Sequence, residues 1–230
     1  MTNATVNKSE VINFLIESQA LKFGEFTLKS GRKAPYFVNT GCFNDGLKIS
    51  QLARFYAQQI ISLGLQNVDA IFGPAYKGIP LCVSTAMSLS REFDINIGFC
   101  FNRKEAKTHG DGGEFVGVSL KPGMRVVLVE DVVTAGTTLN EVIPVLRDKV
   151  GVEVAGVIIL VDRAEKGKGS CSAVQEAEQE LGISVSSIVS IHDIISYLST
   201  SNSSGFQIDE GLRAQIEEYR AQYGVACVSA

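Results

Sequence analysis

The feature that most constrains this chain is a change of pattern after residue 69. Short apolar runs (Asp69–Phe72, Ile95–Phe101, Arg125–Val129, Val154–Val161, Val185–Val189) alternate there with segments of helical spacing (Gly78–Arg91, Thr137–Lys149, Ser172–Leu181, and one near Asp193–Leu198). Apolar runs of that length are strands buried on both faces, and strands alternating with helices build a parallel sheet. The expected fold is α/β, with a mainly parallel central sheet flanked by helices. Such sheets carry their functional loops at the carboxyl ends of the strands.

The N-terminal part reads differently: a helix over Ser9–Gln19, short strands Phe23–Leu28 and Tyr36–Asn39 around the turn 29–33, and a helix over Leu47–Leu63 stopped by Gly64. Residues 200–205 are polar and read as a loop. In Asp209–Tyr223, Leu212, Ile216 and Tyr219 have the spacing of a docked terminal helix. A length of 230 residues with neither repeat nor linker predicts one domain over 1–230. With 45% apolar and 20% charged residues the chain is not a disordered polymer. A formal charge of −4 argues against gripping nucleic acid, although not against a local basic site. The apolar runs are too short for a bilayer, and Met1–Glu10 lacks the regions of a secretory signal. A soluble, cytoplasmic protein with no nucleic-acid or membrane partner is expected. Cys42, Cys82, Cys100, Cys171 and Cys227 are scattered and odd in number, which predicts buried reduced thiols rather than disulfides or a zinc site.

Four strand-end segments carry chemical signals. In Arg125–Thr138 an apolar strand delivers Glu130 and Asp131, and a Thr/Gly turn then opens a helix. Backbone N–H groups with the hydroxyls of Thr134, Thr137 and Thr138 can surround a phosphate at the helix N-terminus, and Gly136 lets the main chain approach it. Acids beside a phosphate repel it, but they suit vicinal sugar hydroxyls attached to it. Gly73–Pro80 has Walker-like glycine spacing, yet Ile79 and Pro80 stand where a nucleotide-binding loop needs Lys and Ser or Thr, so that reading is rejected. Phe101–Gly117 places Arg103, Lys104, Lys107 and His109 among glycines, a composition suited to a cationic lid over a polyanion or to a solvated hairpin. Arg163 follows the strand Val154–Val161. It is a forked cation suited to a planar carboxylate or to an ion pair with Asp162 or Glu165.

The run Arg125–Thr138 resembles the phosphoribosyl-diphosphate signature of the type I phosphoribosyltransferases, and Phe101–Gly117 resembles the mobile catalytic loop of their orotate-specific members. The resemblance spans about Leu21 to Leu198. It implies a small hood over about 1–45 plus parts of the C-terminal region, a mobile loop over about 103–117, and a strained peptide near Ala75–Tyr76, cis being one form of strain. By the same resemblance Glu130 and Asp131 hold the ribose hydroxyls. The turn Val132, Val133, Thr134, Ala135, Gly136, Thr137 and Thr138 holds the 5-phosphate. Lys29, Tyr76, Lys77, Arg103, Lys104, Lys107 and His109 serve the diphosphate. Phe37 and Val38 line the base pocket, although the family more often has a second aromatic at Val38, and Arg163 with Thr134 selects the orotate carboxylate.

The implied reaction moves a 5-phosphoribosyl group from phosphoribosyl diphosphate to orotate, giving orotidine 5-phosphate and diphosphate, a step of pyrimidine (UMP) biosynthesis. Lys107, His109, Arg103 and Asp131 are its implied catalytic residues. Magnesium held through substrate and water is the implied cofactor, with no direct protein ligand. A homodimer whose loop reaches the neighbouring site is the implied assembly. A purine or xanthine phosphoribosyltransferase would share the Glu130–Thr138 site with another base pocket, and a sensing regulator would bind phosphoribosyl diphosphate without turnover.

Overall fold

The computed structural model describes residues 5–28, 31–107, 113–133, 136–167, 169–200 and 208–225. Strands β3 (Ala70–Phe72), β4 (Gly98–Lys107), β5 (Gly113–Gly117), β6 (Arg125–Glu130), β7 (Glu153–Asp162) and β8 (Val185–Ser190) form one sheet in the order β5-β4-β3-β6-β7-β8. All neighbours are parallel except β5, which runs antiparallel along β4. A second, two-stranded sheet pairs β1 (Leu21–Thr27) with β2 (Lys33–Val38).

Continuous apolar runs in the central strands are explained by burial on both faces. In β6, Val127 and Val129 join the larger core, built on α1 (Lys8–Glu17), α2 (Gly46–Ser62), α3 (Gly78–Phe93), α6 (Ile191–Thr200) and α7 (Glu210–Tyr223). Val126 and Leu128, on alternate positions, join a second core with α4 (Thr137–Pro144) and α5 (Ala173–Leu181). Chain order reverses at β3, which lies between β4 and β6. The carboxyl ends of β3 and β6 therefore flank a topological switch point, where open α/β sheets leave a crevice. Among the described residues no helix is long and apolar enough to cross a membrane.

Several boundaries differ from those expected. The strand predicted over Ile95–Phe101 begins at Gly98, because Asp94 takes a left-handed cap and Ile95 N–H returns to Leu89 of α3. It continues to Lys107 because β5 pairs with it, so the described part of 101–117 is a hairpin stem. The helix predicted over Thr137–Lys149 is α-helical only to Pro144. Proline cannot donate to the preceding turn, and a wider π turn follows over Val145–Val150. Of the cysteines expected to be buried, Cys82 and Cys100 are, whereas Cys42 and Cys171 are half-exposed on surface turns; Cys227 lies outside the described residues.

The loop from β3 to α3 is stapled at its base by two glycines. A Cβ on Gly73 would lie 1.9 Å from the Gly78 carbonyl oxygen, and one on Gly78 would lie 2.6 Å from the Gly73 carbonyl carbon. Within this loop the Ala75–Tyr76 peptide is cis. The Gly73→Ala variant is expected to lose about 1–3 kcal/mol, as overpacking against backbone does. Thermal unfolding checks this as a lowered midpoint with an unchanged unfolding surface.

Candidate active site

Strand β6 ends in the two acids. Each is 7% exposed, so burial must be compensated. Tyr56 of α2, fully buried, donates its hydroxyl to the Glu130 carbonyl at 2.7 Å and fixes the strand end. The Asp131 N–H donates to Glu130 Oε1 at 3.1 Å, and the Val132 N–H donates to Asp131 Oδ1 at 2.8 Å. Lys77, from the loop after β3, reaches across the switch point to Asp131 Oδ2 at 2.9 Å. Thr40 completes the group: its hydroxyl accepts from Lys77 at 3.0 Å and donates to Asp131 Oδ2 at 2.5 Å.

These contacts separate two adjacent acids chemically. Burial, then the neighbouring Asp131 charge, raises the Glu130 pKa to about 8. Burial pushes Asp131 upward as well, but the Thr40 hydroxyl and the Lys77 ammonium outweigh it and hold its pKa below the ordinary value. One acid is a hydrogen-bonding carboxyl near neutrality and the other an anion, a pair suited to two vicinal hydroxyls.

Gly136 caps α4 with φ +67°, a left-handed conformation that favours glycine, and α4 carries no side-chain cap. A cavity of about 60 Å³ is lined there by Glu130, Val132, Val133, Gly136, Thr137, Thr138 and Leu139. Glu130 and the first turn of the helix thus border one space, and the N–H groups of a helix's first turn have no partner within the helix, the arrangement that receives an anion. On the other side of the switch point, Asn102 of β4 accepts from the Ala75 N–H at 2.8 Å, tying the 73–78 loop to the hairpin. Tyr76 is 70% exposed, and Lys104 Nζ stands 5.8 Å from its ring centre. Arg103 is half-buried, and its Nε has no hydrogen-bond partner among the described residues.

Arg163 follows β7 with its side chain 12% exposed. Its Nη2 donates to Glu165 Oε1 at 2.6 Å, and its guanidinium stands 5.3 Å from the centre of the Tyr36 ring. Phe37, the next residue of β2, points to the opposite face and stacks on Phe26 with centroids 5.5 Å apart. Val38 is half-buried. The structure therefore brings Lys77, Glu130, Asp131 and the Gly136–Thr138 turn to one crevice, and places Arg163 and Phe37 on opposite faces of the β2 ribbon. Lys29, His109, Thr134 and Ala135 lie outside the described residues, as does the side chain of Lys107, whose backbone ends β4.

A phosphoribosyl transferase domain matches residues 40–185. The curated orotate phosphoribosyltransferase of Photobacterium profundum is 48% identical over 216 residues, covering 94% of this chain and 97% of that protein. The chain belongs to the orotate phosphoribosyltransferase family. The relative from Clostridium acetobutylicum is 46% identical over 219 residues, with 95% of this chain and 98% of that one covered. The crystal structure of the Francisella tularensis orotate phosphoribosyltransferase matches with a TM-score of 0.82 at 38% identity, over 94% of this chain and all of that one. The fold expected from the strand pattern is the fold of the family.

Three residues of this site escape sequence reasoning. Thr40, Tyr56 and Asn102 act through partners 91, 74 and 27 positions away, and no local spacing marks them. Only Asn102 lay inside a segment singled out for its composition.

Stability of the ligand-free protein should record the raised Glu130 pKa. A group that holds its proton more tightly when folded contributes stability below its ordinary pKa and loses it as pH rises through the folded value. The melting temperature is therefore expected to fall between about pH 5 and 9, and the fall should be shallower in Glu130→Gln. Differential scanning fluorimetry across that range checks the slope.

Proposed function

We propose that this chain transfers the 5-phosphoribosyl group of phosphoribosyl diphosphate to orotate, giving orotidine 5-phosphate and diphosphate, in the cytoplasm and in the service of pyrimidine biosynthesis. The observation that carries this reading is the contact between Lys77 and Asp131. It joins the loop after β3 to the acids after β6, so groups suited to a departing diphosphate and to ribose hydroxyls belong to one site. Glu130 and Asp131 orient the sugar, and the turn from Val132 to Thr138 takes the 5-phosphate. Lys29, Tyr76, Lys77, Arg103, Lys104, Lys107 and His109 surround the diphosphate. Orotate is already an electron-rich anion, so no protein nucleophile is required. Catalysis rests on positioning and on stabilising charge as the sugar carbon becomes oxocarbenium-like. Lys107 or His109 gives a proton to the departing oxygen.

Magnesium is the proposed cofactor, and it would be held through substrate oxygens and water with no direct protein ligand, since the ion keeps several of its waters and is commonly bound through substrate phosphates. When bound, the ion neutralises the diphosphate leaving group. The β1–β2 ribbon is the hood, with the backbone of Phe37 and Val38 along the base and Arg163 on its carboxylate. A homodimer is also proposed, with the 103–117 segment serving the neighbouring site. An apolar groove of about 530 Å³ between α3 and β4, lined by Ala86, Met87, Ile97, Phe99 and Val118, offers a second copy a face to cover.

The direct test mixes protein, magnesium, phosphoribosyl diphosphate and either orotate or a purine base, and follows ultraviolet absorbance. Turnover with orotate alone is expected, and binding of phosphoribosyl diphosphate without turnover would favour a sensor. The Arg163→Ala variant should raise KM for orotate far more than KM for phosphoribosyl diphosphate, through loss of a charge-assisted contact of about 1.5–3 kcal/mol. The Lys107→Ala variant should lower kcat ~10²-fold or more, the scale of one oriented donor. If sites are shared, mixing it with inactive Asp131→Asn should restore activity that neither variant has alone.

A further inference from the structure

Arg163 is held by a cluster that reaches back to the C-terminal helix. Glu165 Oε1 accepts from both Arg163 Nη2 at 2.6 Å and the Tyr36 hydroxyl at 2.9 Å, and Arg32 stands 3.8 Å from Glu165 Oε2. Tyr36 is fully buried, so neither the ring under Arg163 nor the hydroxyl on Glu165 is free to wander. Its ring meets Tyr219 of α7 edge-on at 5.8 Å. The Tyr219 hydroxyl is buried beside the same carboxylate, and burial together with that charge raises its pKa to about 12.

The backbone around Arg163 is tied to the same helix. The Lys166 N–H donates to the Tyr223 carbonyl at 2.8 Å, and the Val225 N–H donates to the Ala164 carbonyl at 2.9 Å. Ala164, next to Arg163, has φ +46°, a left-handed conformation that a residue with a Cβ keeps only where its surroundings impose it. Arg32 adds a contact 4.9 Å from the Tyr223 ring centre. Within this clamp the Arg163 Nε is buried and has no hydrogen-bond partner among the described residues, which leaves a donor unspent.

We propose that Glu165, Tyr36 and Tyr219 are positioning residues through which α7 sets selectivity for a base bearing a carboxylate, by presenting Arg163 in a fixed orientation. An arginine on a free loop must lose rotamer freedom when it grips a carboxylate, and one already packed between a ring and an acid loses less. Among the described residues no hydrogen bond or ion pair joins this cluster to Lys77 or Asp131, so its effect falls on the base and not on the sugar diphosphate. The inference rests on the proposed role of Arg163 toward orotate.

The test measures KM for orotate, KM for phosphoribosyl diphosphate, kcat and the melting temperature in Glu165→Gln, Tyr219→Phe and Arg163→Ala. Glu165→Gln is expected to raise KM for orotate about tenfold, the scale of one charge-assisted hydrogen bond. KM for phosphoribosyl diphosphate should stay within about twofold. Tyr219→Phe leaves Arg163 and Glu165 in place and should move the same constant in the same direction by a smaller factor. It carries the test should Glu165→Gln fail to fold. If Arg163→Ala raises KM for orotate while Glu165→Gln and Tyr219→Phe leave it unchanged, the positioning role is overturned and the role of Arg163 stands. If Arg163→Ala itself leaves it unchanged, the carboxylate reading falls and takes this inference with it. Equal rises in both Michaelis constants for Glu165→Gln would mark general loosening and would also overturn the proposal.

Discussion

Two adjacent carboxyl groups buried at the end of a central strand are the constraint on which the rest of this structure depends. Water cannot solvate them, so the protein must, and each compensating group comes from a different stretch of chain. Tyr56 rises from α2 to hold the backbone, Thr40 comes from the short 3₁₀ turn after β2, and Lys77 comes from the loop after β3. Those segments converge because β3 is the strand at which the sheet reverses its order, leaving a crevice beside β6. The sheet supplies rigidity and the loops supply the chemistry.

Much of this was legible from residue pattern. The alternation after residue 69 marks the parallel sheet because strands buried on both faces cannot afford polar positions, and the acids at 130 and 131 stand out because they end such a run. The Thr/Gly turn carried its own signal in the glycine that takes φ +67°. Local pattern failed where distant partners decide the outcome. Nothing near Thr40 says that its hydroxyl will bridge a lysine and an aspartate, since one lies 37 and the other 91 positions away. Strand β4 outran its apolar stretch because its later residues pair with β5 and not because they are apolar. Arg163 illustrates a subtler limit. Spacing offered an ion pair with Glu165 or a grip on a ligand, and the structure holds the pair in a part-buried setting of aromatic rings, which no reading of residues 162–165 alone could specify.

The acids that end β6 and the Arg163 cluster are held by different kinds of interaction. Around β6, hydrogen bonds between backbone and side chain lock each acid in place. Around Arg163, stacking and a shared carboxylate hold the guanidinium against the ribbon and the last helix. Under the proposed function, the sugar phosphate and the base would be addressed by separate parts of the structure.

The unequal acids also set the electrical balance of the empty crevice. With Glu130 retaining its proton near neutrality and Lys77 matched against Asp131, the pair presents almost no net charge. A highly negative guest approaching along the strand ends would meet no repelling field from the groups that are to hold it, although two carboxylates stand at the bottom.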